Sequence, residues 1–171
     1  SVADETGETG NLSMPVGERM VYVERTETDW PLRLQFAIGS RVPMHCTAAG
    51  KLYLSQLPQA ARRTMIRSMT LKRHTPNTIT DPVALEAAVN VIDRQRLGLD
   101  EEELLQGMVA IAVPITDSEG TMIAAVALQA PAARFSLQEL KEFEPLMRKA
   151  SVKLAEVLLP PGDTGTAKAA G

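Results

Sequence analysis

The chain has 171 residues, which suits a single domain of ordinary size with its own hydrophobic core. Apolar residues make up 44% and charged residues 23% of the sequence, as in an average globular protein. The formal net charge of −3 argues against binding nucleic acid unaided, because phosphate contacts need a basic surface. The single cysteine excludes an internal disulfide. With no long apolar run and no signal-peptide pattern, we expect a cytoplasmic protein without membrane contacts.

The first part of the chain has the alternation of β-strands. In NLSMPVGERMVYVERTE (residues 11–27), apolar and polar side chains alternate on both sides of residues 15–17, which predicts a hairpin with its turn there. The alternation continues through Leu32, Leu34 and Phe36.

The period becomes helical at Thr47, which is a suitable N-cap. Apolar residues from Ala48 to Leu57 fit one face of a helix. Pro58 ends that helix and begins a second one, which reaches Met69.

A third helix is predicted from Pro82, after the N-cap Asp81, with Gly98 just beyond its end. Two nearly continuous apolar runs, MVAIAVPI and TMIAAVALQA, follow on either side of DSEG. They predict a central hairpin that is covered on both faces. A long amphipathic helix comes next, capped by Ser136 with Glu139 three residues on.

Strands, helices, strands and a helix therefore follow one another, which predicts an α+β fold with a mainly antiparallel sheet and helices packed against it. The Pro-, Gly- and Ala-rich residues 160–171 are predicted to be disordered, which leaves a domain over residues 1–159.

The stretch RVPMHCTAAGKLYLSQLP (residues 41–58) carries the residues with the most chemistry. A phosphate loop is excluded, because His45 replaces the first glycine and Leu52 replaces the Ser or Thr after the lysine. Zinc needs about four ligands, whereas His45 and Cys46 are joined only by His74 in a polar connector. We expect no metal and no cofactor, with His45 bonded to backbone groups and Cys46 packed as a small apolar residue.

A Cys–His nucleophile pair is disfavoured, because adjacent residues of an extended segment point to opposite faces. The acids of DEEE (residues 100–103) are interpreted as a solvated edge rather than an acid/base pair. No catalytic residue is therefore predicted.

Small residues at the predicted helix start leave one further possibility. Ala48, Ala49 and Gly50 would let a carboxylate or phosphate approach free backbone N–H groups at the positive end of the helix dipole. Tight packing of the helix against the sheet explains the same residues equally well, so the sequence leaves both readings open.

The same stretch, GSRVPMHCTAAGKLYLSQLP, resembles the signature of the effector-binding domain of IclR-family transcription regulators, approximately G-x-R-x-P-x-H-x-T-A-x-G-K-x-x-L-x-x-L-P. The upstream hairpin and the downstream segment GLDEEELLQGMVAIAVPITDSEGTMIAAVALQAPAARFS are also similar to that domain, so that the resemblance covers about residues 4–158.

The resemblance implies a GAF-like fold, in which a curved sheet carries a pocket for a small organic acid. It implies a sensing domain that forms dimers or tetramers and reaches DNA only through an N-terminal helix-turn-helix domain, which we expect to be absent from this sequence. The alternative is a GAF-like enzyme or redox protein that uses Cys46.

The resemblance also implies the ligand-binding residues. They are backbone amides at the helix start, a pocket-wall acid, inward positions on the central hairpin and an apolar wall residue: Ala48, Ala49, Gly50, Asp100, Ala110, Ala127, Gln129 and Leu34. Members that bind very small keto acids resemble one another in having Cys and Ser at the hairpin positions, where this chain has two alanines and Gln129. The added volume and lost polarity predict an aromatic or medium-sized carboxylic acid, with Gln129 contacting one polar group.

Overall fold

A computed structural model describes residues 2–26, 37–159 and 161. Its elements are, in chain order, α1 (Val2–Thr6), β1 (Thr9–Val16), β2 (Arg19–Thr26), β3 (Arg41–Pro43), α2 (Ala48–Gln56), α3 (Gln59–Ser68), α4 (Pro82–Gln95), β4 (Gly98–Glu101), β5 (Met108–Thr116), β6 (Met122–Pro131), α5 (Leu137–Leu140) and α6 (Glu144–Leu158). The strands form one curled antiparallel sheet in the order β3-β2-β1-β6-β5-β4, which confirms the predicted α+β fold. None of the described helices is long and apolar enough to span a membrane.

The central hairpin β5–β6 separates two layers of apolar packing. Ala110, Ala112 and Ala127 face α2 in one cluster, whereas Ile111 and Leu128 belong to a second cluster on the α6 side. Successive side chains of a strand point to opposite faces, so two covered faces require apolar residues at every position. This confirms the prediction made from the two continuous apolar runs.

The first hairpin forms as predicted, but its turn lies later in the chain. Pro15 and Val16 belong to β1, and the chain reverses at Gly17 and Glu18. Gly17 has a φ of 60°, the left-handed conformation that two-residue hairpin turns need and that glycine adopts without strain. The predicted turn included two residues that are in fact paired with β2.

The predicted long C-terminal helix is divided in two. After α5, a 3₁₀ turn covers Lys141–Phe143, and α6 begins at Glu144. Pro145 has no N–H group and its ring opposes the hydrogen bond of a continuous helix, which explains the interruption. The predicted cap is confirmed, since Ser136 Oγ accepts from the Glu139 amide and the Glu139 carboxylate accepts from the Ser136 amide.

Gly98 does not follow the end of α4 as a cap; it is the first residue of β4. The helix ends instead at Arg96, which adopts the left-handed conformation itself, with a φ of 51°. A Cβ at Gly98 would lie 2.1 Å from the carbonyl oxygen of Ala48. Glycine therefore lets the start of α2 rest directly on β4. The sequence patterns predict neither β4 nor α1, because segments of four or five residues are too short to show a clear strand alternation or helical repeat.

A buried ion pair joins α2 to the segment after β4. Lys51 Nζ donates to both carboxylate oxygens of Glu103 at 2.8 and 2.7 Å, and the two side chains are only 4% and 8% exposed. Glu103 Oε2 also accepts from the Glu101 amide at 3.1 Å. Removing charges from water is costly, and these extra contacts are what makes such a pair tolerable in a core.

The chain segment of residues 100–103 is therefore not the solvated edge that its composition predicts. Asp100 and Glu103 are buried, whereas Glu101 is exposed. Asp100 points inward from β4, whereas Glu103 lies beyond the end of the strand, after Glu102 with a φ of 58°, and its carboxylate meets the ammonium group of Lys51 there. The partner is 52 residues away in the sequence, which is why composition alone misplaced these two carboxyl groups.

Gly98→Ala tests the contact between α2 and β4. The added methyl group would overlap the Ala48 carbonyl, so we expect the free energy of unfolding to fall by about 1–3 kcal/mol or more. Gly10→Ala is the matched control in the same sheet, because its nearest contact is 4.0 Å away and alanine suits a strand better than glycine by about 0.5–1 kcal/mol. Urea unfolding followed by circular dichroism measures both; equal stability of the two variants would contradict the close approach.

Lys51→Met tests the buried ion pair. It leaves the Glu103 carboxylate buried without its cation, and we expect a loss of about 3–5 kcal/mol in the free energy of unfolding. Arg63→Met is the control, since Arg63 pairs with Glu86 but its side chain is 52% exposed, and exposed pairs contribute about 0–1 kcal/mol. A double variant, Lys51→Met with Glu103→Leu, should recover most of the lost stability. A Lys51→Met variant as stable as the control would show that the pair is not needed.

Candidate functional site

The start of α2 is held in place by its N-cap. Thr47 has an extended backbone, and its hydroxyl accepts from the Gly50 amide at 3.2 Å while donating to the Pro43 carbonyl at 2.7 Å. The predicted cap is confirmed. The amides of Ala48 and Ala49 occupy the first two helical positions, where no carbonyl of the same helix can reach them. These two N–H groups, at the positive end of the helix dipole, are the donors that the helix start can offer to an anion.

Gly50 differs from the two alanines, because its amide already has an acceptor and its Cα is in close contact with another segment. Its amide already donates to Thr47, and a Cβ on it would lie 2.3 Å from the Cα atom of Met44. In this structure Gly50 therefore allows the first turn of α2 to pack against the segment that precedes it. Packing therefore accounts for Gly50, whereas the amides of Ala48 and Ala49 have no hydrogen-bond acceptor among the described residues, so an anion site stays open for these two.

The predicted hairpin positions lie on the sheet face that α2 covers. Asp100 is paired with Ala110, and Ala110 with Gln129, so the three share one face in adjacent strands β4, β5 and β6. Ala127 is two residues from Gln129 and lies on the same face. The fold therefore brings the predicted residues of β4, β5 and β6 to the same side of the sheet as the start of α2.

Alanine makes this part of the sheet face shallow. Ala110 and Ala127 are buried in one apolar cluster with Ala48 and Ala49, and Ala112 lies beside them. Between the helix and the sheet, these residues contribute only methyl groups to the layer. The predicted wall residue Leu34 lies outside the described residues, as do Leu32 and Phe36 and nearly all of the predicted tail at residues 160–171.

Polar groups on β1 and β2 complete this face, and the sequence reading missed them. Asn11 is paired with Ala127 and Ser13 with Ala125, and within the described residues neither Asn11 Oδ1 nor Ser13 Oγ has a hydrogen-bond partner although both are buried. Gln129 Nε2 donates to the Tyr22 hydroxyl at 3.4 Å. A buried polar atom without a partner is costly, and a bound ligand is one way to satisfy it. Alternate polar residues in the strand NLSM were the available signal.

Asp100 gives the face a carboxyl group that is an unusually weak acid. Burial raises the pKa of its carboxyl to about 7, assisted by the negative charge of Glu103, although the Glu103 amide donates to Asp100 Oδ1 at 2.8 Å and opposes the shift. Near neutral pH the side chain is therefore partly protonated, and it can sit beside an anionic ligand without full charge repulsion.

Cys46 and His45 have the ordinary roles that the sequence analysis predicted for them. His45 Nε2 is 2.9 Å from the Lys72 carbonyl oxygen, and Cys46 is fully buried in the apolar cluster. Burial, together with the charges of Asp100 and Glu103, raises the pKa of the Cys46 thiol to about 12. The thiolate needed for nucleophilic or redox chemistry is thus scarce at neutral pH.

Relatives of known sequence match this chain over most of its length. The family described as "Bacterial transcriptional regulator IclR C-terminal" matches residues 1–156. The protein named "Probable transcriptional regulator SauR" from Cupriavidus necator is 43% identical over 155 residues, which are 91% of this chain and 62% of that protein. KdgR of Escherichia coli is 31% identical over 88% of this chain and 57% of its own length. The chain thus spans about three fifths of the length of these curated relatives.

Solved structures show the same fold. The C-terminal domain of E. coli KdgR superimposes with a TM-score of 0.80 and 29% identity, covering 90% of this chain and 89% of that one. A double mutant of the inducer-binding domain of PobR from Acinetobacter, in complex with 3-hydroxybenzoic acid, has a TM-score of 0.82 and 28% identity, covering 91% and 92%.

The enzyme alternative fails on two counts. The family and its curated relatives are transcriptional regulators rather than enzymes, and the Cys46 thiol is buried with a raised pKa. The sequence motifs, the six-stranded sheet and the match over residues 1–156 together show that this chain belongs to the family of C-terminal domains of bacterial IclR transcriptional regulators.

Proposed function

We propose that this chain is the small-molecule sensor of an IclR-type regulator and that it binds an organic carboxylate between the start of α2 and the alanine-lined face of β5 and β6. Binding changes the affinity of the regulator for its operator, which is contacted by an N-terminal helix-turn-helix domain. The observation that carries this proposal is that the amides of Ala48 and Ala49 have no hydrogen-bond acceptor among the described residues, while the buried polar atoms Asn11 Oδ1 and Ser13 Oγ, on the sheet face that α2 covers, have no hydrogen-bond partner there either.

The carboxylate end is assigned to the helix start. The helix dipole favours an anion there by about 0.3–1 kcal/mol, and each hydrogen bond to a charged group contributes about 1.5–3 kcal/mol. Ala48 and Ala49 have small side chains, so a ligand can reach both amides. Gly50 completes the predicted set by holding the first turn against Met44.

The body of the effector is assigned to the alanine face. Ala110 and Ala127 offer only methyl groups, which favours an aromatic or medium-sized apolar body over a very small keto acid. Gln129 and Tyr22, already linked to each other, would contact a hydroxyl group on that body. The PobR domain, which has the same fold and is solved with 3-hydroxybenzoic acid, supports an aromatic acid. Leu34 remains a proposed wall residue.

Family membership supports a proposal for assembly and location. Regulators with helix-turn-helix domains bind two half-sites as symmetric dimers, and we propose that this domain contributes to a dimer or tetramer in the cytoplasm. The net charge of −3 does not favour contact with DNA phosphates, which supports assigning operator contact to the N-terminal domain.

A carboxylic acid and its primary amide distinguish an anion site from a packed helix start. We would screen hydroxybenzoates and medium-chain acids by thermal shift and compare the best ligand with its amide by calorimetry. The amide should bind at least about tenfold more weakly, because about 1.4 kcal/mol of lost charge interaction equals one factor of ten. Cys46→Ser should bind the acid normally, whereas an enzyme using this residue would lose activity. Equal affinity for acid and amide would refute the anion site.

Asp100 makes the affinity depend on pH. Below its pKa of about 7 the neutral carboxyl accepts an anionic neighbour, and above it the charge repels the ligand. The charged and titratable groups around it are Glu103, Lys51, Cys46 and Tyr22. Affinity for the carboxylate should therefore be higher at pH 6 than at pH 8, falling by up to about tenfold per unit above 7. Asp100→Asn should flatten the profile. Titrations in a chelating buffer measure this, and an unchanged slope in Asp100→Asn would assign the dependence elsewhere.

A further inference from the structure

All the imidazole and thiol groups of this chain meet at one place. The sequence has two histidines and one cysteine, and His45, Cys46 and His74 each offer a ligand atom such that the three atoms lie within 4.8 Å of one another. His74 is 28 positions from Cys46 in sequence, which is why a polar connector carried no metal signal. The fold of α3 and the connector brings it back beside the start of α2.

The hydrogen bond of His45 leaves one ring nitrogen available to bind a metal. Its Nε2 is 2.9 Å from the Lys72 carbonyl, so Nε2–H donates there and Nδ1 keeps its lone pair. Metal-bound histidines almost always use the second ring nitrogen in this way, which fixes the tautomer and the plane of the ring. The ring of His74 stands 5.9 Å away at a tilt of 39°.

The backbone on both sides of the cluster is fixed. Thr47, directly after Cys46, is bonded to Pro43, and the His74 amide donates to Thr78 Oγ1 at 3.0 Å. Thr78 in turn donates to the Glu103 carbonyl at 2.6 Å, which ties the loop to the segment after β4. Zinc bonds of about 2.0–2.3 Å require the donor atoms to close from within 4.8 Å of one another to roughly 3.3–3.8 Å, and the exposed His74 side chain has the most freedom to move.

A cleft of about 440 Å³ lies against the cluster and is lined by both histidines, among other residues. A metal held by three side chains would keep a fourth position open toward this cleft, as in zinc sites that bind water or a ligand. Arg19 and Lys72 line the same cleft, and their charges oppose a cation. When Cys46 is deprotonated on metal binding, its thiolate supplies one negative charge that partly offsets these positive charges.

We propose that His45, Cys46 and His74 form a binding site for a borderline divalent cation, Zn²⁺ foremost, with an open fourth position facing the cleft. The N₂S donor set excludes Mg²⁺ and Ca²⁺, which take oxygen ligands. On binding, the Cys46 S–H bond breaks, its proton passes to solvent and the sulfur–metal bond forms; nothing is oxidised or reduced. The site lies beside the proposed effector face and does not depend on it.

Cobalt makes the site visible. The reduced, untagged protein is titrated with Co²⁺, and thiolate-to-metal charge-transfer absorption with tetrahedral visible bands should saturate at one equivalent and disappear when Zn²⁺ is added. Because the chain has one cysteine, the charge-transfer band reports this site alone. Cys46→Ser should abolish the band. His74→Gln changes an exposed residue, so we expect the protein to remain folded. Loss of a group that only supports a metal ligand typically weakens metal affinity by roughly 10–100-fold, so loss of the His74 ligand itself should weaken Zn²⁺ affinity by at least that factor.

Two further variants separate a built site from incidental thiol binding. Thr70→Ala alters the same cleft without removing a strong ligand and should leave Zn²⁺ affinity unchanged, whereas Arg19→Gln removes an opposing charge and should tighten it. The proposal is overturned by the absence of a charge-transfer band in the natural sequence, or by unchanged Zn²⁺ affinity in His74→Gln.

Discussion

The buried pair of Lys51 and Glu103 determines where α2 lies, and the rest of the site depends on that position. An ammonium and a carboxylate without water are stable only at close range with their remaining valences satisfied, so α2 and the segment after β4 must stay in register. The same segment accepts hydrogen bonds from Thr75 and Thr78 of the connector. One ion pair thus fixes the helix, the end of β4 and the loop that carries His74.

Two glycines let α2 pack in close contact with β4 and with the segment that precedes the helix. Gly98 brings β4 against the first carbonyl of α2, and Gly50 brings its first turn against Met44. The helix start is therefore pressed toward a sheet face that is lined by alanines rather than by large side chains. Packing explains the glycines, and the proposed ligand rests on the Ala48 and Ala49 amides, which have no acceptor among the described residues.

Charge gives the two proposed sites different characters. On the sheet side, Asp100 is desolvated and partly neutral, next to amide donors that favour an anion. On the other side of Thr47, the donor atoms of His45, Cys46 and His74 lie together, and the two histidines line a cleft that Arg19 and Lys72 also line. Cys46 and Ala48 stand on either side of the same N-cap, so a metal on one side and a carboxylate on the other would both act on the start of α2.

The sequence by itself determined the family, the antiparallel sheet with helices on it, the N-caps of α2, α4 and α5, and the two-sided burial of β5 and β6. These rest on local patterns: Thr47, Asp81 and Ser136 each bond an amide three residues on, and the apolar runs of the central hairpin are continuous. Only the tertiary structure decided which side chains meet across the chain. Lys51 with Glu103, Asn11 opposite Ala127, and His74 beside Cys46 are distant in sequence, and the inward direction of Asp100 depends on a four-residue strand. Such contacts follow from the register of the sheet and the docking of helices, for which a single local pattern carries no signal.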